Sequence, residues 1–183
     1  MKIIKTKLND VKIIENNIFK DDRGFFFESY NKSCFSDQIK KEISFVQDNH
    51  SKSRINVVRG LHYQTPPKAQ GKLVRVLKGQ ILDVVVDLRK TSSTFAKWIC
   101  VIICSEKKNQ IWIPPGFAHG FLAKTDNCEV LYKTTEYYFP EYEKTIIWND
   151  PTLNIDWGIE NPKLSIKDLN GKFFRNSYYF ENY

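Results

Sequence analysis

The chain has little of what identifies most metal, redox and membrane proteins. Its 183 residues hold four cysteines, Cys34, Cys100, Cys104 and Cys128. They form no C-x-x-C pair and no zinc spacing. Cys100 and Cys104 share a face if "WICVIIC" is a strand, but they stand too far apart along it to bridge. Reduced thiols are expected, as in a cytoplasmic protein. No run of 18 or more apolar residues occurs, so no membrane span is expected. The N-terminal "MKIIKTKLNDVKII" alternates charged and apolar residues and lacks the apolar core and cleavage site of a signal peptide. Long helical periodicity is scarce, and repeats and low-complexity linkers are absent. The net charge is +7, yet the lysines are scattered and no Arg-rich run or recognition-helix pattern appears. A nucleic-acid partner is therefore not expected.

What is present is β-type sequence with an apolar share of 42% and an aromatic share of 14%. The length suits one domain, 1–183, in which 169–183 reads as a polar, aromatic C-terminal tail. "VKIIENN", "RGFFFESY", "SFVQDNHS", "KLVRVLKGQILDVVVDLR", "KWICVIICS", "NQIWIPP", "HGFLAK" and "EVLYKTTEYYF" are short runs broken by Gly, Pro, Asn or Asp. Such spacing predicts a sandwich, jelly roll or barrel. "LKGQ", around Gly79, predicts a hairpin between two long strands. Residues 32–42 predict a helix with Ser33 as N-cap, and a second short helix is expected to start at Ser165.

Period-two faces place polar groups inward. Gln47, Asn49 and Ser51 share a face, as do Tyr132, Thr134, Glu136 and Tyr138 with Val130. Lys72 shares a face with Val74 and Val76. A face that begins polar and turns apolar suits a barrel whose mouth holds a ligand. Arg59 and His62 have opposite parity. Gly60 between them predicts a β-bulge that turns both to one side. An inward histidine can also be an ordinary core residue, and Tyr132 a core aromatic. His50 reads as surface or interface. Asp83 and Asp87 read as structural, Asp87 as a strand-end turn residue.

"IPPGFAHGF" contains P-x-G-x-x-H as Pro114, Gly116 and His119. It resembles the second half of the cupin signature. The H-x-H pair of the first half is missing, and only His50, His62 and His119 exist, so no metal site is expected. Further ordered motifs run from about Val11 to Asp168: "DDRGFFFESYN", "FVQDNHSKS", "VRGLHYQ", "QGKLVRVLKGQILDVVVDLR", "STFAKW", "IWIPPGFAHGF", "LYKTTEYYFPEYE", "WNDP" and "LSIKD". Together they resemble the nucleotide-sugar 3,5-epimerases of the dTDP-4-dehydrorhamnose 3,5-epimerase family.

The resemblance implies an all-β, cupin-type jelly-roll (double-stranded β-helix) barrel with a few short peripheral helices. It implies an isomerase that needs no cofactor, in deoxysugar biosynthesis for surface polysaccharide. The substrate would be a nucleoside-diphosphate 4-keto-6-deoxy sugar, either dTDP-linked hexose or GDP-linked heptose, inverted at C3, C5 or both. His62 would be the base, Asp168 its orienting carboxylate, Lys72 the cation at the enolate oxygen and Tyr132 the acid on the opposite face. Arg59 and His119 would lie by the diphosphate or sugar. Arg23, Glu28, Gln47, Asn49, Tyr138, Glu143 and Lys167 match the family's binding positions. The family's dimer, with an N-terminal strand crossing to the partner, suits the first residues of this chain. The rivals are a 3,4-ketoisomerase of the same fold and a non-catalytic sugar-nucleotide- or metal-binding cupin. Asn56, Pro115 and Gly158 depart from the usual family pattern, and "GIENPK" extends the loop before "LSIKD". These changes bear on which sugar nucleotide is taken.

Overall fold

The computed structural model describes residues 1–181. Its apolar–polar alternation becomes a series of short antiparallel strands. These are β1 (Lys2–Lys5), β2 (Lys12–Glu15), β3 (Phe19–Asp21), β4 (Gly24–Phe26), β5 (Gln47–Ser53), β6 (Val58–Gln64), β7 (Lys72–Lys78), β8 (Gln80–Asp87), β9 (Trp98–Cys104), β10 (Gln110–Ile113), β11 (Phe117–Ala123), β12 (Cys128–Thr134) and β13 (Glu143–Thr145). Six form one sheet in the order β1-β2-β10-β7-β12-β5. Five form a second, β13-β6-β11-β8-β9, and β3 and β4 make a separate hairpin. The result is the expected jelly roll, with helices α1 (Lys32–Ile39) and α2 (Ile166–Leu169) outside it.

The expected hairpin at Gly79 does not form. β7 and β8 lie in different sheets, because each already has two neighbours: β10 and β12 for β7, β11 and β9 for β8. Gly79, at φ 82°, turns the chain from one sheet to the other. The first helix is capped by Asn31 rather than Ser33: Asn31 Oδ1 accepts from the Cys34 N–H at 3.1 Å. Asn is as good a cap as Ser and comes two residues earlier. Ser165 caps α2 as expected.

Each sheet has apolar residues on both faces, and the sheets need cover on both. Between them lie Val74, Val76, Ile81, Val85, Ile111, Phe117 and Val130. Outside the six-stranded sheet, Phe35 of α1 packs edge-on to Trp112, with ring centroids 5.4 Å apart. Outside the five-stranded sheet, Val84, Val86 and Leu122 are covered by Trp157, Phe174 and Phe180. The aromatic C-terminal segment is therefore core-forming; its last two residues lie outside the described residues. Burying one such aromatic side chain is worth ~1.5–3 kcal/mol. The inter-sheet core fills only part of the space. Polar side chains line the remainder, and there the cavity opens.

Candidate active site

The opening between the sheets is a cavity of about 350 Å³. Its geometry starts with a defect in β6. In the β6–β11 ladder His62 faces His119 and Arg59 faces Phe121, so two residues on β6 span one on β11. This is the bulge anticipated at Gly60, whose φ is 124°. A Cβ there would stand 2.5 Å from Gly120 Cα, so only glycine fits. The bulge turns Arg59 and His62 toward the same cavity.

His62 Nε2 lies 2.6 Å from Asp168 Oδ1. α2 carries Asp168 to this point across a separation of 106 residues. Asp168 is 2% exposed. The Gly60 N–H donates to its Oδ1 at 3.3 Å, and the Ser165 hydroxyl donates to its Oδ2 at 2.6 Å. Burial pushes the Asp168 pKa up, but the bonds from His62 and Ser165 outweigh it and hold the carboxyl below its usual range. Burial lowers the His62 pKa, against the pull of Asp168, so the ring is neutral at pH 7. A neutral ring donates Nε2–H to the carboxylate and leaves Nδ1 as the basic nitrogen.

The opposite wall is the six-stranded sheet. There Tyr132 of β12 pairs in register with Asn49 of β5 and Val74 of β7. Burial, then Glu143, raises the Tyr132 pKa, so its phenol keeps its proton at neutral pH. Lys72 starts on β7 and reaches across: its Nζ donates to the His62 carbonyl at 3.4 Å. Burial lowers the Lys72 pKa to about 8, while Glu143 and Asp83 oppose the fall. The rim is a polar net. Gln47 Nε2 donates to Asn49 Oδ1 at 2.9 Å, and the Tyr138 hydroxyl and Lys167 Nζ both donate to Glu143, each at 2.9 Å. Arg59 Nε donates to Ser53 Oγ at 3.0 Å, with the guanidinium exposed beside the cavity.

A base on one wall, an acid on the other and a cation between them is the layout that inverting a carbon beside a ketone requires. Comparison with known proteins agrees. A model of the dTDP-4-dehydrorhamnose 3,5-epimerase family matches residues 5–176. The chain belongs to this family. It is 51% identical to the dTDP-4-dehydrorhamnose 3,5-epimerase of Shigella flexneri over 180 residues, 98% of this chain and 99% of that protein. Identity to the Salmonella typhimurium enzyme of the same name is 52% over 169 residues, 92% of each. The crystal structure of dTDP-6-deoxy-D-glucose-3,5-epimerase from Legionella pneumophila, in complex with dTDP-4-keto-L-rhamnose, superposes with a TM-score of 0.95 at 44% identity, over 100% of this chain and 98% of that one. The cupin-type jelly roll and the class of enzyme, an epimerase, follow from membership.

The residues singled out from the sequence all line the cavity except two. Arg23 and Glu28 are not brought to it within a single chain. Arg23 sits in the turn of the β3–β4 hairpin, its side chain 90% exposed and paired with Asp21 at 2.6 Å. Glu28 accepts from Asn31 beside α1. Both belong to segments outside the six-stranded sheet, away from the cavity mouth. His50 lies outside the cavity, 3.4 Å from Glu129, and Asp87 accepts from the Arg89 backbone as a turn residue. Sequence reasoning missed Asp83. It is fully buried, and its Oδ2 lies 2.8 Å from His119 Nε2. An aspartate on the inward face of the otherwise apolar "ILDVVV" was the signal. Ser165 was legible as a cap but not as a second support for Asp168.

Proposed function

We propose that the chain epimerises C3 and C5 of a dTDP-4-keto-6-deoxyhexose. The observation that supports this best is the placement of His62–Asp168 and Tyr132 on opposite walls with Lys72 between. In this reading His62 Nδ1 takes the proton beside the C4 ketone. Asp168 steadies the imidazolium that forms. The Lys72 ammonium meets the enolate oxygen. Tyr132 returns a proton from the other face, and the centre inverts. His62 then passes its proton to solvent, the Tyr132 phenolate takes one from solvent, and the second centre follows. Arg59 and Lys167 supply charge for the diphosphate. Gln47, Asn49, His119, Tyr138 and Glu143 hold sugar and nucleotide.

The same reading makes 1–183 one domain and the functional unit a homodimer with N-terminal strand exchange. Several features support the dimer. β1 is an edge strand. Phe19, Phe25 and Phe26 of the β3–β4 hairpin are exposed. Arg23 and Glu28 match binding positions yet lie outside their own cavity, as groups serving a partner's site would. A stable monomer in gel filtration would sink this part. The setting is cytoplasmic, which suits four unbridged cysteines. Among the described residues no helix is long and apolar enough to cross a membrane.

The decisive experiment is deuterium uptake in D₂O from dTDP- and GDP-linked 4-keto-6-deoxy sugars, read by mass spectrometry and NMR. Two deuterons, at C3 and C5, on the dTDP sugar with the ketone still at C4 are expected. One deuteron would make it a single-centre epimerase. No uptake from any such sugar would overturn the reading.

A further inference from the structure

The cavity holds a second imidazole–carboxylate pair that the scheme above leaves unused. His119 and His62 face each other in the β6–β11 ladder, so His119–Asp83 stands beside His62–Asp168. The two pairs are built differently. Asp168 accepts from His62, Ser165 and Gly60. Among the described residues Asp83 has a hydrogen bond with His119 alone, and its Oδ1 is buried with no hydrogen-bond partner. A carboxylate ion with several donors is well supported in a dry site, whereas one with a single donor is costly.

Counting protons shows what each pair offers a ligand. A pair with one proton is anionic: Nε2–H points at the carboxylate, and Nδ1 shows a lone pair. That is the His62 pair, a base. A pair with two protons is neutral overall, whether drawn as acid and imidazole or as carboxylate and imidazolium. An acid proton on Asp83 Oδ1 would have no acceptor, so it sits on the Oδ2 that faces Nε2, and in both drawings Nδ1 carries a proton. Burial disfavours an unbalanced charge on Asp83. It raises the Asp83 pKa above the usual carboxylate range, although His119 and Lys72 pull the other way. His119 Nδ1 has no hydrogen-bond partner among the described residues, and the residue lines the cavity together with Lys72.

We propose that Asp83 is a positioning residue that keeps His119 protonated at Nδ1, so that His119 and Lys72 together grip one anionic oxygen of the ligand. The identity of that oxygen rests on the epimerase reading: an enolate oxygen or a phosphate oxygen has the required charge. The two neighbouring histidines thus have opposite characters, His62 a proton acceptor and His119 a donor.

The first test does not need turnover. ¹⁵N NMR of the histidine rings in the free protein at neutral pH, assigned with His119→Gln, is expected to show His119 Nδ1 protonated and His62 Nδ1 unprotonated. An unprotonated His119 Nδ1 overturns the proposal whatever the activity. Inactivity on every dTDP sugar overturns the epimerase reading and leaves the NMR result standing. The second test is kinetic. Asp83→Ala is expected to lose roughly 10- to 100-fold, less than the ~10²–10³ for deleting an oxyanion donor outright, because the ring remains. Asp83→Asn, whose amide can donate to Nε2, is expected to rescue most of that loss. A fall in kcat at constant KM assigns the oxygen to the enolate, and a rise in KM at constant kcat assigns it to a phosphate. Parental activity in Asp83→Ala refutes the role. If Asp83→Ala does not fold, Asp83→Asn with an unprotonated His119 Nδ1 and undiminished activity does so.

Discussion

Replacing Asp168 by asparagine tests the proposed base most directly. The change keeps the shape and removes the charge. One carboxylate oxygen now accepts from His62 and Gly60, and the other from Ser165. An amide retains one acceptor and turns the other position into a donor. If its NH₂ faces His62, the ring must move its proton to Nδ1, and the base loses its lone pair. In a serine–histidine–aspartate triad the same tautomer error costs about 10⁴ in kcat. If the NH₂ faces Ser165, the tautomer survives but the imidazolium loses its counter-charge. A hydrogen bond to a charged group is worth ~1.5–3 kcal/mol and a neutral one ~0.5–1.5, so the difference is ~1–2 kcal/mol, or about 10-fold. The Gly60 N–H shares the oxygen that faces His62 and favours the second arrangement, so the expected loss in kcat lies between these limits and toward the lower one, about 10- to 10²-fold. The pH profile adds a sign. His62 works unprotonated, and its pKa is already lowered by burial while Asp168 opposes the fall. Without the Asp168 charge the pKa falls further. The acidic limb of kcat/KM should therefore move to lower pH while the plateau drops. Deuterium wash-in at C3 and C5 across pH measures both. A variant as active as the parent, or a limb displaced upward, refutes the assigned dyad.

Three further outcomes follow from the same geometry. Lys72 acts as a cation, and its pKa is about 8, so kcat should fall as pH rises through about 8; Lys72→Met should lose ~10²–10³ and the alkaline limb with it. Tyr132→Phe leaves His62 free to remove a proton and return a deuteron to the same face. Wash-in should persist while inverted product falls by ~10²–10⁴, and NMR distinguishes exchange from inversion. Gly60→Ala puts a methyl 2.5 Å from Gly120 Cα on a residue at φ 124°, and urea unfolding should show a loss of roughly 2–5 kcal/mol; unchanged stability would remove the bulge from its structural role.

Short apolar runs broken by Gly, Pro, Asn or Asp sufficed for the strands, even where, as in β8 and β11, both faces are buried. Period-two alternation placed Gln47, Asn49, Tyr132 and Lys72 on inward faces. Gly60 between two polar residues of opposite parity was enough to anticipate the bulge. Pairing partners were less visible. The turn at Gly79 looks the same in sequence whether it closes a hairpin or crosses between sheets, since the outcome depends on which edges of β7 and β8 other strands have taken. Roles were the least visible. The pairing of His62 with Asp168, and of His119 with Asp83, joins residues far apart in the chain. Neither periodicity nor composition records such contacts, and only the family resemblance pointed to Asp168. Arg23 and Glu28 show the complementary limit, because motif matching does not say whose cavity a side chain reaches.

The distance in sequence between His62 and Asp168 has a consequence for how the protein comes into being. The strands of both walls, with Arg59, Lys72, His119 and Tyr132, have all been made once synthesis has passed Thr145. Only α2, close to the end, brings Asp168 and Ser165. The aromatic cover of the five-stranded sheet, Phe174 and Phe180, arrives later still. The strand that carries His62 therefore precedes both its carboxylate partner and the apolar cover of its own sheet. The segment that seals the five-stranded sheet is thus the one that delivers the carboxylate beside His62, so its docking completes the core and the site in one step.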